Sequence, residues 1–210
     1  MRAAGVVLAG GRSTRMGTPK AALPWGSTTL LAHVAAILRE AVDGPLIVVR
    51  AAGQELPPLP PGVDVDVVED PVAGVGPLAG ILAGLAAAAG RAEAAYVSAV
   101  DMPHLRPAFV RRVLAGLEPG IEVVLPDAHG FRHPLAAAYR TALAVPLREL
   151  VAAGATRPAE LFEIATARRV DAAWLLADPV LRAADPELAS LVNVNDPDDY
   201  ARAHSVAFPA

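Results

Sequence analysis

Apolar positions along this chain come in two rhythms, short unbroken runs and runs spaced at three and four residues. Gly5 to Ala9 is an apolar run that stops at the paired glycines Gly10 and Gly11, the pattern of a buried parallel strand entering a loop. Leu30, Leu31, Val34, Ile37 and Leu38 then recur at helical spacing, behind Ser27, Thr28 and Thr29 as capping hydroxyls. Leu46 to Val49 and Val63 to Val68 predict a second and a third strand, separated by the proline-rich stretch Leu56 to Pro61, which regular structure does not tolerate. Leu78 to Ala89 predicts a helix, Ala95 to Val100 a fourth strand, and Pro107 to Leu117 another helix. Strands alternating with helices imply a mostly parallel sheet covered on both faces, an α/β fold.

The second half alternates less regularly. Val123 to Leu125 and Leu135 to Tyr139 read as strands, Leu143 to Ala153 as a helix, and Leu191 to Val194 as a last strand. Asp196 with Pro197, Asp198 and Asp199 predicts a helix start: a capping carboxylate, proline in the first turn and acids at the positive dipole end. Asp178 to Pro186 reads as a surface excursion. With 210 residues, 54% hydrophobic and a net charge of -4, the chain has apolar material for one large core, so residues 1–210 are expected to form a single domain. The mild acidity argues against a general nucleic-acid binder, and any anion site must be local. No cysteine is present, which excludes disulfides, thiolate metal ligands and a cysteine nucleophile. No membrane segment or cleavable leader is expected, and the cytoplasm is the default location.

The stretch richest in chemistry is Leu8-Ala9-Gly10-Gly11-Arg12-Ser13-Thr14-Arg15-Met16-Gly17-Thr18-Pro19-Lys20, between the first strand and the first helix. Glycines let backbone N–H groups approach phosphate, and Arg15 and Lys20 supply two cations, a combination suited to a triphosphate. It is neither a Walker loop, lacking Gly-Lys-Ser/Thr, nor the dinucleotide fingerprint, lacking Gly-x-Gly. Asp101 follows the fourth strand directly, which places its carboxylate at a strand's C-terminal end, where open α/β sheets bind ligands. Taken by itself, Asp-x-Pro reads as a helix cap.

The loop, as Leu-Ala-Gly-Gly-x-Ser-x-Arg-Met-Gly-x-x-Lys, strongly resembles the N-terminal signature of the molybdenum cofactor guanylyltransferases, within the nucleotidyltransferase superfamily. Glu69-Asp70, Gly76-Pro77-Leu78-Ala79-Gly80-Ile81, Asp101-Met102-Pro103, His133-Pro134-Leu135 and Asn193-Val194-Asn195 follow in the family's order, so the likeness spans most of the chain. It implies a Rossmann-like three-layer sandwich, with residues 1–110 as the nucleotide-binding half and 111–210 as the acceptor half. It also implies transfer of GMP from GTP to the terminal phosphate of molybdopterin, with Mg²⁺ as cofactor and pyrophosphate as leaving group. A molybdoenzyme or a cofactor-delivery protein is then an onward partner; neither nucleic acid nor membrane is.

Carried over residue by residue, the resemblance makes Leu8, Ala9, Gly10, Gly11, Arg15, Lys20, Asp70 and Asp101 nucleotide-binding, with Lys20, Arg15 and Asp101 catalytic. Asp101 becomes the metal ligand instead of a cap. His133, Arg157, Asn193 and Asn195 fall on the acceptor side, although His133 reads equally well as a satisfied core histidine. Two positions depart from the family. Pro19 stands where an aspartate usually precedes the lysine, so an ion pair holding Lys20 must come from elsewhere; Arg50 stands where an asparagine often contacts the nucleotide. Gly10 and Met102 favour guanylyl over cytidylyl transfer, the nearest alternative, for which the family patterns are Leu-Ala-Ala-Gly and Asp-Gln-Pro. A third reading is a non-catalytic nucleotide-binding or cofactor-chaperone module, against which Lys20 and Asp101 speak together. Gly10 is expected to leave space beside the base. Asp64 and Asp66, alternating with valines, are placed on a strand's polar face, and no zinc site is expected at His129 and His133, because Gly130 and Pro134 rule out the helix that spacing would need.

Overall fold

The computed structural model describes residues 1–10, 16–59, 62–70 and 76–208. The main sheet is built from β1 (Ala3–Leu8), β4 (Leu46–Arg50), β5 (Asp66–Glu69), β6 (Ala94–Ala99), β7 (Val123–Ala128), β9 (Ala136–Arg140) and β10 (Ala167–Val170). Their order is β10-β7-β9-β6-β1-β4-β5, with the short β8 (Phe131–Arg132) paired to β7, and a separate hairpin forms from β2 (Pro24–Trp25) and β3 (Thr28–Thr29). Strands β5, β4, β1 and β6 run parallel; β9 is inserted antiparallel between β6 and β7. The architecture is therefore α/β with a mostly parallel sheet, as the alternation of patterns predicts.

Strand β1 is the axis of the molecule, and all six of its residues are buried. Period-2 alternation sends Ala3 and Val7 into one core and Ala4, Val6 and Leu8 into the other. Helix α1 (Leu30–Ala41) lies on the first face and α2 (Pro77–Ala88) on the second. Two glycines let them close in. A Cβ on Gly5 would stand 3.1 Å from Leu38 Cβ of α1, and one on Gly84 of α2 would stand 2.4 Å from Val6 Cγ1. Three layers result, with the helices α3 (Pro107–Ala115), α6 (Ala172–Leu176) and α7 (Pro179–Ala184) on the α1 side. Helices α4 (Ala144–Ala152) and α5 (Pro158–Leu161) cover the α2 side, and α8 (Pro197–Ala207) packs through Ala203 with Trp25 in a third, smaller cluster. No helix among the described residues is long and apolar enough to cross a membrane.

The predicted caps form where the residues allow. Thr29 Oγ1 accepts from Ala32 N at 3.3 Å to start α1, and Asp196 Oδ1 accepts from Asp199 N at 2.8 Å to start α8. Three expectations change. Leu191 to Val194 is not a strand: a 3₁₀ turn covers Ala189–Leu191, Leu191 and Val194 are buried because they plug two different cores, and Val192 between them is exposed. The region from Asp178 to Pro186 is more than an excursion, since Asp178 caps α7 and Leu181 is fully buried. The third strand shrinks to β5, an edge strand whose Val67 is exposed. Asp66 there points to solvent and pairs with Arg91 at 2.5 Å, in keeping with a polar face.

Candidate active site

Three chain segments converge at the C-terminal end of the central strands. The first leaves β1 and returns at Pro19, whose carbonyl accepts from Ala22 N to wind the 3₁₀ turn Lys20–Ala22. The second leaves β6 and turns at Asp101. The third is the segment 193–195 just before α8, fastened by Val194 N donating to the Asp101 carbonyl at 2.9 Å. Each carries one part of a compact polar cluster. Lys20 Nζ stands 2.5 Å from Asp101 Oδ2 and 3.4 Å from Asn195 Oδ1, while Asn193 Nδ2 donates to Asp101 Oδ1 at 3.2 Å. Both members of the ion pair are largely shielded, with side-chain exposures of 18% and 14%. The helix-cap reading of Asp101 fails, because its carboxylate receives Lys20 and Asn193, and α3 begins later, behind Arg106. Asp101 is also the partner that Lys20 gains in place of the aspartate that Pro19 replaces.

Asp70 sits at the end of β5, with its N–H donating to the Arg50 carbonyl at 2.7 Å. Its Oδ2 lies over α2, 3.6 Å from where a Cβ on Gly80 would be. Arg50 is turned to structural use: its guanidinium donates to Glu69 Oε1 at 2.9 Å and to the Gln54 carbonyl at 2.8 Å. Gln54 in turn donates to the Ala9 carbonyl at 3.1 Å, so the segment 50–54 is clamped onto the end of β1. Gln54 was not distinguishable by sequence, because a lone glutamine in a loop carries no pattern.

One reading of the first loop is corrected here. Ala9 N and Gly10 N both donate to the Val49 carbonyl, at 2.8 and 3.2 Å, so those amides belong to the sheet and are not offered to a phosphate. A Cβ on Gly10 would meet Ala51 N at 3.0 Å and Arg50 C at 3.4 Å. The glycine thus leaves room for the protein's own 50–54 segment. Gly11 and Arg15 lie outside the described residues.

Beside the Asp101 cluster opens a cavity of about 450 Å³, walled by Met102, His133, Leu135, Val192, Asn193 and Asn195 and rimmed by the β8 hairpin. Phe131 on that hairpin is 71% exposed. His133 lines this cavity, and its Nε2 is paired with the Ala128 carbonyl at 3.0 Å. Burial pushes its pKa below the ordinary imidazole value. His129 turns instead to the Glu187 carbonyl at 3.1 Å. Asn193 and Asn195 therefore border the cavity and the ion pair at once. Arg157 does not join them: it caps α5, is 78% exposed and pairs with Glu160 at 3.3 Å.

The donor set around Asp101 fits a hard divalent cation that a ligand helps to hold. A shielded carboxylate and an amide oxygen, Asn195 Oδ1, converge on one point, and a cation, the Lys20 ammonium, already occupies it. Mg²⁺ commonly takes one or two protein oxygens and leaves the remainder to water and phosphate. No group of three or more acidic, histidine or cysteine ligands exists among the described residues, so the fit is to a shared ion and not to an all-protein cage.

A family model described as "MobA-like NTP transferase domain" matches residues 5–170. A relative named probable molybdenum cofactor guanylyltransferase, from Mycobacterium ulcerans, is 44% identical over 80% of this chain and 82% of its own. The solved molybdopterin-guanine dinucleotide biosynthesis protein A from Archaeoglobus fulgidus shares the fold, with a TM-score of 0.75, 23% identity and coverage of 97% and 98% of the two chains. A Mycobacterium tuberculosis protein solved as a manganese complex superposes with a TM-score of 0.60 at 24% identity, covering 98% and 99%. A matched model over most of the chain, and a close relative over four-fifths of it, make this protein a member of the MobA-like NTP transferase family.

Proposed function

We propose that this protein transfers GMP from GTP to the terminal phosphate of molybdopterin, forming the guanine dinucleotide of the cofactor and releasing pyrophosphate. The observation that carries the reading is the Lys20–Asp101–Asn193–Asn195 cluster, poised where the central strands end and open to a cavity large enough for a second substrate. Residues 1–110 serve mainly the nucleotide and 111–210 the acceptor, with the segment 193–195 joining the two.

A phosphate monoester is mostly dianionic at neutral pH, its second pKa being about 6, so the acceptor needs no general base. The protein must hold the two phosphates in line and offset the charge that grows on the leaving group. Lys20 has the mobile, compact charge for that task. Asn193 fixes the Asp101 carboxylate by donating to Oδ1, which keeps Oδ2 aimed at the cation position. Asp101 is the residue we assign to Mg²⁺, with Asp70 near the nucleotide; the ion, when bound, supplies positive charge to the phosphates being separated. Manganese on the M. tuberculosis neighbour supports use of a divalent ion. Leu8, Ala9, Gly10 and Gly11 shape the nucleotide side, and Arg15 adds a second cation there.

Apolar walls from Met102, Leu135 and Val192, with Phe131 at the rim, suit the flat ring of a pterin, while His133, Asn193 and Asn195 offer polar contacts to its edge. Arg157 reaches an acceptor phosphate only by leaving Glu160. The test is to supply each nucleoside triphosphate in turn, with Mg²⁺ and a molybdopterin source, and to follow pyrophosphate. GTP alone should support release. Preference for CTP overturns the guanylyl assignment, and no release with any triphosphate favours a binding module.

A further inference from the structure

The ammonium of Lys20 stands on the oxygen that the metal would need. It contacts Asp101 Oδ2 at 2.5 Å and faces Asn195 Oδ1 at 3.4 Å, and Asn193 Nδ2 is already on Oδ1 of the same carboxylate. Both oxygens of Asp101 are thus engaged by the protein's own donors, in a place where side-chain exposures of 18% and 14% limit screening by water. A divalent ion entering alone would have to share one carboxylate with a cation a bond-length away, in partly desolvated surroundings where like charges repel strongly. A triphosphate changes the balance, because its several negative charges give the ammonium somewhere else to go. Lysine is suited to such a transfer, being a point charge on a flexible four-carbon stem.

We propose that Lys20 and the divalent ion take turns on Asp101, so that the nucleotide-free protein excludes the metal and the metal enters only with the nucleotide. The inference rests on the reading of Asp101 as the metal residue. Its consequence is positive coupling: whatever factor the nucleotide adds to metal affinity, the metal adds to nucleotide affinity. Asn193 then acts as a positioning residue that keeps Oδ2 directed at the shared point in both states.

The probe is Mn²⁺ alone, titrated into the full-length protein without nucleotide, with unbound ion read from its paramagnetic resonance signal. Wild type should take up Mn²⁺ at least about tenfold more weakly than Lys20→Met, in the range usual for coupling between sites. Lys20→Ala repeats the measurement with a shorter side chain should the methionine disturb the turn. Adding Asp101→Asn to either variant should abolish the gain. Wild type that binds Mn²⁺ as tightly as the lysine variants, through a site lost in Asp101→Asn, overturns the exchange while leaving Asp101 as the metal residue. Absence of any gain in both lysine variants also overturns it. A gain that survives Asp101→Asn overturns more, because the ion then sits elsewhere and the metal assignment of Asp101 falls with it.

Discussion

Gly10 shows how a residue's reason can differ from its reading. A glycine between strand and loop suggests space for a ligand, yet the neighbour a Cβ would press is the backbone of Ala51, at 3.0 Å. Replacing Gly10 by alanine should therefore act through the clamp of Arg50, Gln54 and Glu69, pushing the 50–54 segment outward by a few tenths of an ångström. Gln54 ties that segment to Ala9, which the proposed function sets on the nucleotide side, so kcat/KM for GTP should fall more than for CTP, by a factor on the scale of about 1 to 3 kcal/mol for a methyl-sized change. Paired steady-state measurements with the two triphosphates decide it, and an unchanged ratio removes this loop from base choice. Lys20 was legible as chemistry because charge beside a glycine turn is a pattern, whereas Asp101 by itself reads as a helix cap and became a ligand only through the family resemblance. Their contact was not legible, since nothing local relates positions 81 residues apart.

Among the elements, the short β2–β3 hairpin does more than link the first loop to α1. Trp25, 2% exposed, is ringed by His33, His104, Tyr200, His204 and Phe208, at centroid distances of 5.5 to 6.2 Å. It packs with Leu23, Leu30, Val194 and Ala203, and Val194 lies between the two site asparagines. His33 adds a bond to the Pro103 carbonyl at 2.8 Å, two residues beyond Asp101. Trp25 therefore backs all three segments that build the site. Trp25→Leu should cost roughly 2 to 4 kcal/mol, within the range for shrinking a buried aromatic, and should also raise KM for GTP. Urea unfolding and kinetics separate the two effects. A variant with lower stability but wild-type KM and metal dependence would reduce the cluster to packing alone. The hairpin was invisible in the sequence because two-residue strands have no period. Strand β10 was missed for another reason: Arg168 and Arg169 interrupt its apolar run, as an exposed edge permits. Long buried strands and capped helices, β1, α1 and α8 among them, were legible because burial on both faces or one imposes a period on the residues themselves.

For the molecule as a whole, three half-buried histidines set a pH dependence. His33, His104 and His133 all have pKa values lowered chiefly by burial, with Arg106 adding to the effect at His33 and His104. The unfolded chain then binds more protons than the folded one below the ordinary value of about 6.5, so stability rises with pH across that window. Full stability is expected above it, with a decline as pH falls through the lowered folded values. Melting temperatures at pH 7.5 and pH 5 test this, and substituting His33 and His104 by glutamine should flatten the difference. A Tm that holds steady to pH 5 in the wild type would show that the histidines remain hydrated.

The segment that completes the site arrives late. Asn193 reaches Asp101 across 92 residues and Asn195 reaches Lys20 across 175. Contacts so distant in sequence are slow to close, because the loop entropy is spent before they return anything. On the ribosome, the glycine loop and Asp101 will emerge well before the asparagines that complete their cluster. A nascent chain thus displays its glycine loop before the cluster is complete, and the sheet can form first around β1. The same geometry works in reverse in the mature protein. Local opening of α8 and the residues before it would dismantle the site while β1, β4 and β6 stay paired, so hydrogen exchange there reports on readiness for catalysis and not on global unfolding.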